Sequence, residues 1–144
     1  MERKRYVIIM AAGSGTRMGA GRPKQFLELD GKAILQKTIE VFLEACPGIS
    51  VITVLPKDFI EYWRTYCLER NFVCPQILVA GGITRFHSVR NALDRVPEGV
   101  LVGVHDGVRP LVSPTLVRQM YERAETVQAL IPVTPCVETM KVLE

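Results

Sequence analysis

The chain of 144 residues has the length of a single domain and is long enough to bury a substantial hydrophobic core. Hydrophobic residues make up 48% and charged residues 23%, which is typical of a globular domain, and no hydrophobic run approaches the length of a membrane span. The net charge of +3 is too small to indicate a nucleic-acid-binding face, although a mild positive balance suits a small polyanionic ligand.

The amino terminus and the cysteines bear on where the protein works. Residues 1–5 are basic, but the hydrophobic run behind them ends after a few residues, which is typical of a first strand rather than a signal peptide. Cys46, Cys67, Cys74 and Cys136 lack the C-x-x-C spacing of zinc and redox sites. We therefore expect reduced thiols in a cytoplasmic protein.

Strand and helix patterns alternate along the chain. Strands are predicted at residues 6–10, 50–55, 76–80, 100–104 and 128–133, helices at residues 33–45, 56–71, 83–96 and 114–126, and an extended segment at residues 137–143. Thr84 and Ser113 are typical helix caps, and Pro114 favours a helix start. The alternation predicts an α/β three-layer sandwich with a mainly parallel, Rossmann-like sheet.

The helical periodicity also predicts which side chains face the core. These are Ile34, Leu35, Ile39, Phe42 and Leu43 on the first helix, Phe59, Trp63, Tyr66 and Leu68 on the second, and Val89, Ala92, Leu93 and Val96 on the third. Packing is also the expected role of His105, whereas His87 is expected in solvent.

A glycine-rich loop, A-A-G-S-G-T-R-M-G over residues 11–19, follows the first predicted strand, and Pro23-Lys24-Gln25 lies just beyond it. Small residues let the backbone approach a ligand closely, and Arg17 and Lys24 bring two cations to the loop. Exposed N–H groups with fixed cations suit a polyphosphate. The spacing is neither that of a P-loop nor that of the dinucleotide fingerprint, and a solvated connection is the alternative.

Two other predicted strands also end in residues that suit a ligand. Gly81-Gly82 would let a flat base lie against the backbone, with Ser88 one turn into the next helix. Asp106 offers the oxygen ligands that Mg²⁺ prefers, and Arg109 could bind a phosphate monoester. Alone, Asp106 would be a turn residue. Because ligands bind at the carboxyl ends of parallel strands, the three loops together predict one site.

These motifs resemble the nucleotidyltransferases that join a nucleoside triphosphate to a sugar or polyol phosphate, whose pattern is G-x-G-T-R-M, a gap, then P-K. Residues 81–89 resemble G-G-x-x-R-x-x-S-V, and residues 104–110 resemble V-H-D-x-x-R-P. Residues 132–141 give a shorter match that ends in E-T-M-K. Together with the short gap before Pro23, the motifs most closely resemble the family of 2-C-methyl-D-erythritol 4-phosphate cytidylyltransferases.

The resemblance implies the nucleotide-diphospho-sugar transferase fold and a homodimeric enzyme that uses CTP, a polyol phosphate and Mg²⁺. Arg17 and Lys24 would be catalytic, Asp106 would hold the metal, and Thr139 would touch the acceptor phosphate. The implied binding residues are Ala11, Ala12, Gly13, Gly15, Gly82, Ile83, Ser88, Asp106, Gly107, Arg109 and Thr139. Some relatives have Asp in place of Ile83, and many have Ala or Ser in place of Gly107.

We interpret residues 1–144 as one nucleotide-binding catalytic domain that matches the amino-terminal portion of the family. A dimer arm, a later lysine and a second metal aspartate would lie beyond this portion. Ribitol-5-phosphate cytidylyltransferase shares the glycine loop and V-H-D-x-x-R-P, but the run S-V-R-N-A over residues 88–92 favours the erythritol enzyme. A non-catalytic nucleotide-binding domain is the alternative from another class.

Overall fold

The computed structural model describes residues 2–13 and 23–133. In chain order the elements are β1 (Arg5–Met10), β2 (Glu28–Leu29), β3 (Lys32–Ala33), α1 (Ile34–Ala45), β4 (Ser50–Leu55), α2 (Ile60–Glu69), β5 (Gln76–Ala80), α3 (Arg85–Leu93), β6 (Leu101–Asp106) and α4 (Pro114–Ala124). Short 3-10 turns lie at Lys24–Phe26 and Lys57–Phe59. No helix in these ranges is both long enough and apolar enough to cross a bilayer.

A four-stranded parallel sheet forms the centre of the fold, in the order β5-β4-β1-β6, which confirms the predicted fold class. Successive side chains of β1 point to opposite faces of this sheet. Val7 and Ile9 face the cluster that contains Phe42, Trp63 and Tyr121, from α1, α2 and α4. The other face of β1 packs in the cluster that contains Ala92 of α3. The sheet is therefore the middle of three layers.

Local signals place the helix starts. The side chain of Ser113 accepts a hydrogen bond from the backbone N–H of Leu116 at the start of α4, with Pro114 as its first residue. The side chain of Thr84 accepts one from the N–H of His87 at the start of α3. Both predicted caps are thereby confirmed, because each satisfies an N–H that has no partner inside its helix.

Most of the predicted core residues are buried or partly buried, but two are exposed. Trp63 is fully buried, as predicted, and its indole N–H donates to Oε1 of Gln76 at 3.1 Å. Leu68 is 80% exposed, because Trp63 and Tyr66 define the inner face of α2 and Leu68 lies on the opposite side. Leu93 is 44% exposed at the last residue of α3, a rotation of about 100° from the residue before it.

The predicted strand at residues 128–133 is wrong. These residues form no strand, and within the described part of the chain β6 pairs with β1 alone. A hydrophobic run becomes a strand when it gains a partner edge and buries one face. Here Ile131 is 79% and Val133 is 87% exposed, so neither condition is met. The extended segment predicted at residues 137–143 lies outside the described residues.

The close packing between β6 and α4 can be tested by measuring the free energy of unfolding. A methyl group at Gly103 would lie 2.7 Å from the Tyr121 hydroxyl oxygen, which is held by a 2.5 Å hydrogen bond to the carbonyl of Tyr6. We expect Gly103→Ala to lower the free energy of unfolding by about 1–3 kcal/mol. The loss should shrink in a Tyr121→Phe background, where the nearest remaining ring carbon lies at 3.4 Å. Urea unfolding measures this cycle, and an equal loss in both backgrounds would contradict it.

Candidate active site

Three loops meet at the carboxyl edge of the parallel sheet. The loop after β1 begins with the Ala11 N–H donating to the Val54 carbonyl at 2.8 Å. The loop after β5 begins with Gly81 donating to Leu55, and the loop after β6 begins with Gly107 donating to Met10, each at 2.8 Å. The first residue of each loop is thus hydrogen-bonded to the end of a neighbouring strand.

Contacts between these loops leave no room for larger side chains. A methyl group at Gly81 would lie 2.5 Å from Cβ of Ala12, and one at Gly107 would lie 3.1 Å from Cβ of Ala11. Gly107 also faces Leu35, whose Cδ1 would lie 3.0 Å from the added methyl. The small residues of the sequence motifs therefore bring the loops into contact. The implied role of Gly107 in binding stays a prediction.

The junction before α3 holds the residues that were predicted to bind a base. Ser88 is only 3% exposed, and its hydroxyl oxygen accepts a hydrogen bond from the Gly82 N–H at 3.0 Å. This hydrogen bond stabilises the turn at Gly82, and the hydroxyl hydrogen of Ser88 remains available as a donor. Ile83 is 96% exposed, so its side chain lies in solvent. His87 is also exposed, as expected, and its Nδ1 lies 2.7 Å from the Thr84 hydroxyl.

The predicted metal ligand, Asp106, lies between two arginines. One carboxylate oxygen is 2.9 Å from Nη2 of Arg85, and the other is 2.9 Å from Nε of Arg109. Burial acts to raise the pKa of Asp106, but the hydrogen bonds and charges of Arg109 and Arg85 outweigh it, so the pKa lies below its ordinary value. No role was predicted for Arg85, although it occupies the arginine position of the G-G-x-x-R motif.

His105 and the wider surroundings do not add metal ligands. The His105 ring packs on Phe42, as predicted, with ring centroids 5.1 Å apart. Its Nε2 lies 3.0 Å from the Arg109 carbonyl oxygen. Residues 2–13 and 23–133 contain no group of three His, Cys, Asp or Glu side chains that could hold a metal ion. Asp106 therefore fits Mg²⁺ only if a bound substrate supplies most of the oxygen ligands.

The 3-10 turn before β2 carries Lys24, a predicted catalytic residue, and Gln25, for which no role was predicted. Lys24 is exposed and makes no ion pair within the described residues. The next side chain, Gln25, is buried, and its Nε2 donates to the carbonyl oxygens of Ala11 at 2.7 Å and Gly13 at 3.1 Å. A polar residue directly before the buried Phe26 was the only sequence signal for it.

The structure brings most of the predicted residues to one edge of the sheet. Those with described positions are Ala11, Ala12, Gly13, Lys24, Gly82, Ile83, Ser88, Asp106, Gly107 and Arg109. Gly15, Arg17 and Thr139 lie outside the described residues. Nothing in the geometry tests the individual roles, which stay predictions.

Known proteins resemble this chain along nearly its whole length. Residues 6–144 match the family model described as 2-C-methyl-D-erythritol 4-phosphate cytidylyltransferase. Proteins of that name from Bacteroides thetaiotaomicron and Porphyromonas gingivalis are 46% and 47% identical over 96% and 98% of the chain. The chain spans 63% of the length of each relative.

A solved structure shares the fold as well as the sequence similarity. It is the 4-diphosphocytidyl-2C-methyl-D-erythritol synthase of Anaerococcus prevotii, which superposes with a TM-score of 0.81 at 27% identity. The match covers 99% of this chain and 60% of that protein. This chain therefore shares its parallel sheet and flanking helices with a protein named 4-diphosphocytidyl-2C-methyl-D-erythritol synthase.

The Asp106 ion pairs predict a pH effect. Arg85→Gln removes one hydrogen bond and one positive charge, so the pKa of Asp106 should rise toward its ordinary value. Stabilisation by this carboxylate is present above the ordinary pKa and is lost as the pH falls through the lowered one, so the variant should lose it at a higher pH. Carbon-13 NMR titration of the Asp106 carboxyl measures the change.

The matched control is Arg90→Gln, which removes the same charge from α3 at a residue that the structure does not pair with Asp106. It should leave the pKa of Asp106 nearly unchanged. The same pKa in wild type and Arg85→Gln would show that this ion pair does not form in solution.

Proposed function

The chain belongs to the 2-C-methyl-D-erythritol 4-phosphate cytidylyltransferase family, and on this basis we propose that the protein transfers a cytidylyl group from CTP to 2-C-methyl-D-erythritol 4-phosphate. The products would be 4-diphosphocytidyl-2-C-methyl-D-erythritol and pyrophosphate, in the non-mevalonate route to isoprenoids. The observation that carries the proposal is the convergence, at one sheet edge, of the loop at Ala11–Gly13, the Gly82–Ser88 junction and Asp106 with its two arginines.

The reaction asks for positioning and charge rather than for a general base. An oxygen of the acceptor phosphate attacks the α-phosphorus of CTP in line, a new P–O bond forms, and the bond to the β-phosphate oxygen breaks with its electron pair leaving on pyrophosphate. The attacking oxygen is already anionic, so no proton needs to be removed. Oriented donors and cations can supply the rate acceleration.

Lys24 and Arg17 are proposed to bind the triphosphate and to stabilise its charge as the α-phosphorus becomes crowded. The position of Lys24 supports this role, because the neighbouring Gln25 is hydrogen-bonded to the loop at Ala11 and Gly13. An exposed ammonium group without an ion pair in the described residues is available to an anionic ligand. Arg17 enters the proposal through the sequence motif alone.

Asp106 is proposed to hold the divalent cation, Mg²⁺, together with phosphate oxygens of the substrate. The ion would act as a Lewis acid that neutralises charge on the triphosphate. Both carboxylate oxygens contact guanidinium groups, so a bound cation would compete with Arg85 and Arg109 for Asp106. An arginine displaced from Asp106 would be free to bind an anionic group of a substrate.

Arg109 and Thr139 are proposed to orient the acceptor phosphate, while Gly82, Ile83 and Ser88 select the cytosine ring. The exposed backbone at Gly82 and Ile83 supports base binding, because the ring can approach without displacing a side chain from the core. A methyl group at Gly82 would lie 2.5 Å from Cβ of His87, so the turn tolerates only glycine in this conformation.

The cytoplasmic location and the homodimer remain part of the proposal. Support for the cytoplasm comes from Cys46, Cys67 and Cys74, which are free thiols in the described part of the chain. The homodimer follows from the family resemblance. Ribitol 5-phosphate is the alternative acceptor, and a non-catalytic nucleotide-binding domain is the alternative class.

Substrate choice tests the proposal directly. We expect pyrophosphate release with CTP and 2-C-methyl-D-erythritol 4-phosphate, little with ribitol 5-phosphate, and little when ATP or GTP replaces CTP, because the family resemblance implies that Gly82, Ile83 and Ser88 select cytosine. A coupled pyrophosphate assay with each donor and acceptor measures this in the intact protein. Faster turnover with ribitol 5-phosphate would replace the acceptor. CTP binding without turnover on either acceptor would favour the non-catalytic domain.

Lys24→Ala tests the triphosphate site. Removing one electrostatic donor should lower kcat by about 100-fold or more without unfolding the protein. The matched control is Lys57→Ala, because Lys57 is also exposed and also begins a 3-10 turn. This control should keep kcat within about twofold of wild type, since it removes the same charge from an equivalent position outside the motif. Near-normal turnover of a folded Lys24→Ala variant would remove Lys24 from the mechanism.

A further inference from the structure

The Gln25 side chain makes an unusual pair of contacts for a residue that is 2% exposed. One amide nitrogen donates to two carbonyl oxygens of the same loop, those of Ala11 and Gly13. Its nearest equivalent, the buried Gln36, instead bonds to side chains, accepting from the Tyr66 hydroxyl at 2.6 Å and donating to Glu40. Gln25 therefore controls backbone orientation in the loop, which Gln36 does not.

The orientation of a carbonyl fixes the orientation of the N–H in the same peptide unit. In a trans peptide the two groups point in opposite directions. Because the Ala11 carbonyl points to Gln25, the Ala12 N–H points away from it, and it donates to no group in residues 2–13 and 23–133. An outward N–H in a loop of small residues is the kind of donor that binds phosphate oxygens.

Gln25 is itself held by the core. The next residue, Phe26, is 1% exposed and packs against the rings of Phe59, Tyr62 and Trp63, with centroids 5.3, 5.0 and 6.2 Å away. The 3-10 turn is thereby anchored on one side by this aromatic cluster and bonded on the other side to the loop. Lys24 belongs to the same turn, so the loop and the backbone of Lys24 are both held by this anchored segment.

We propose that Gln25 is a positioning residue for the nucleotide: it makes no contact with the triphosphate but holds the loop at Ala11–Gly13 with the Ala12 N–H directed outward. This inference rests on the proposed function for the identity of the ligand, CTP. It predicts that the affinity for phosphates depends on a buried amide behind the loop. It also predicts that the Ala12 amide loses its fixed orientation when the two hydrogen bonds are removed.

The test compares Gln25→Met with Gln36→Met in the intact protein. Both substitutions remove a buried amide of similar size, and both should cost some stability. Gln25→Met should weaken CTP binding by about tenfold or more, as expected for two lost hydrogen bonds, and should speed hydrogen exchange at the Ala12 amide. Gln36→Met should leave both nearly unchanged. Calorimetry measures CTP binding, and NMR measures exchange without nucleotide.

Inorganic tripolyphosphate is the second probe, because it reads the loop without the base. If wild type binds tripolyphosphate but not CTP, the proposed function fails, while the effect of Gln25→Met on tripolyphosphate still decides the role of Gln25. A folded Gln25→Met variant that binds CTP or tripolyphosphate within about twofold of wild type overturns the proposal. So does wild type that binds neither probe.

Gln25→Glu guards against a folding failure. It keeps the side-chain length and places a carboxylate against two carbonyl oxygens, so it should weaken binding more than Gln25→Met at neutral pH. Protonation restores one donor, so its affinity relative to wild type should recover as the pH falls. If neither variant folds, Gln25 serves the fold as a whole and the proposal is wrong.

Discussion

The site depends on the absence of a side chain at two glycines. Gly81 approaches Ala12, and Gly107 approaches Ala11, so closely that one added methyl group at either position would meet the neighbouring loop. Strand pairing places these loops at the same edge of the sheet, since β1 lies between β4 and β6. Because of this close contact, the three loops form one continuous surface. A larger residue would separate the loop at Ala11–Gly13 from the turn at Gly82 or from Asp106.

The Asp106 carboxylate is paired with two guanidinium groups in the structure. Asp106 is surrounded by guanidinium groups that come from different elements, Arg85 at the start of α3 and Arg109 after β6. These side chains are mostly exposed, so water screens the pairs and each contributes little to the stability of the fold. Exchanging the carboxylate for another anion at either arginine would therefore cost little free energy.

The sequence was sufficient for the sheet and for the position of the site. Hydrophobic runs located β4 and β5 with the bounds that the structure shows, because buried parallel strands have a strong local pattern. It failed at residues 128–133, where the run is hydrophobic but has no strand partner in the described fold. It also missed Gln25, because one buried polar side chain has no periodicity and its partners are two backbone carbonyls that only the fold brings near.

The position of β1 in the sheet has a consequence for how the chain folds. One pairing of this strand requires β6, and the Tyr6 carbonyl receives its hydrogen bond from Tyr121, 115 residues later. Contacts so distant in sequence slow folding, because a long stretch of chain must be ordered before they form. β1, whose residues Tyr6–Met10 are all buried, therefore lacks its second neighbour until β6 has been synthesised.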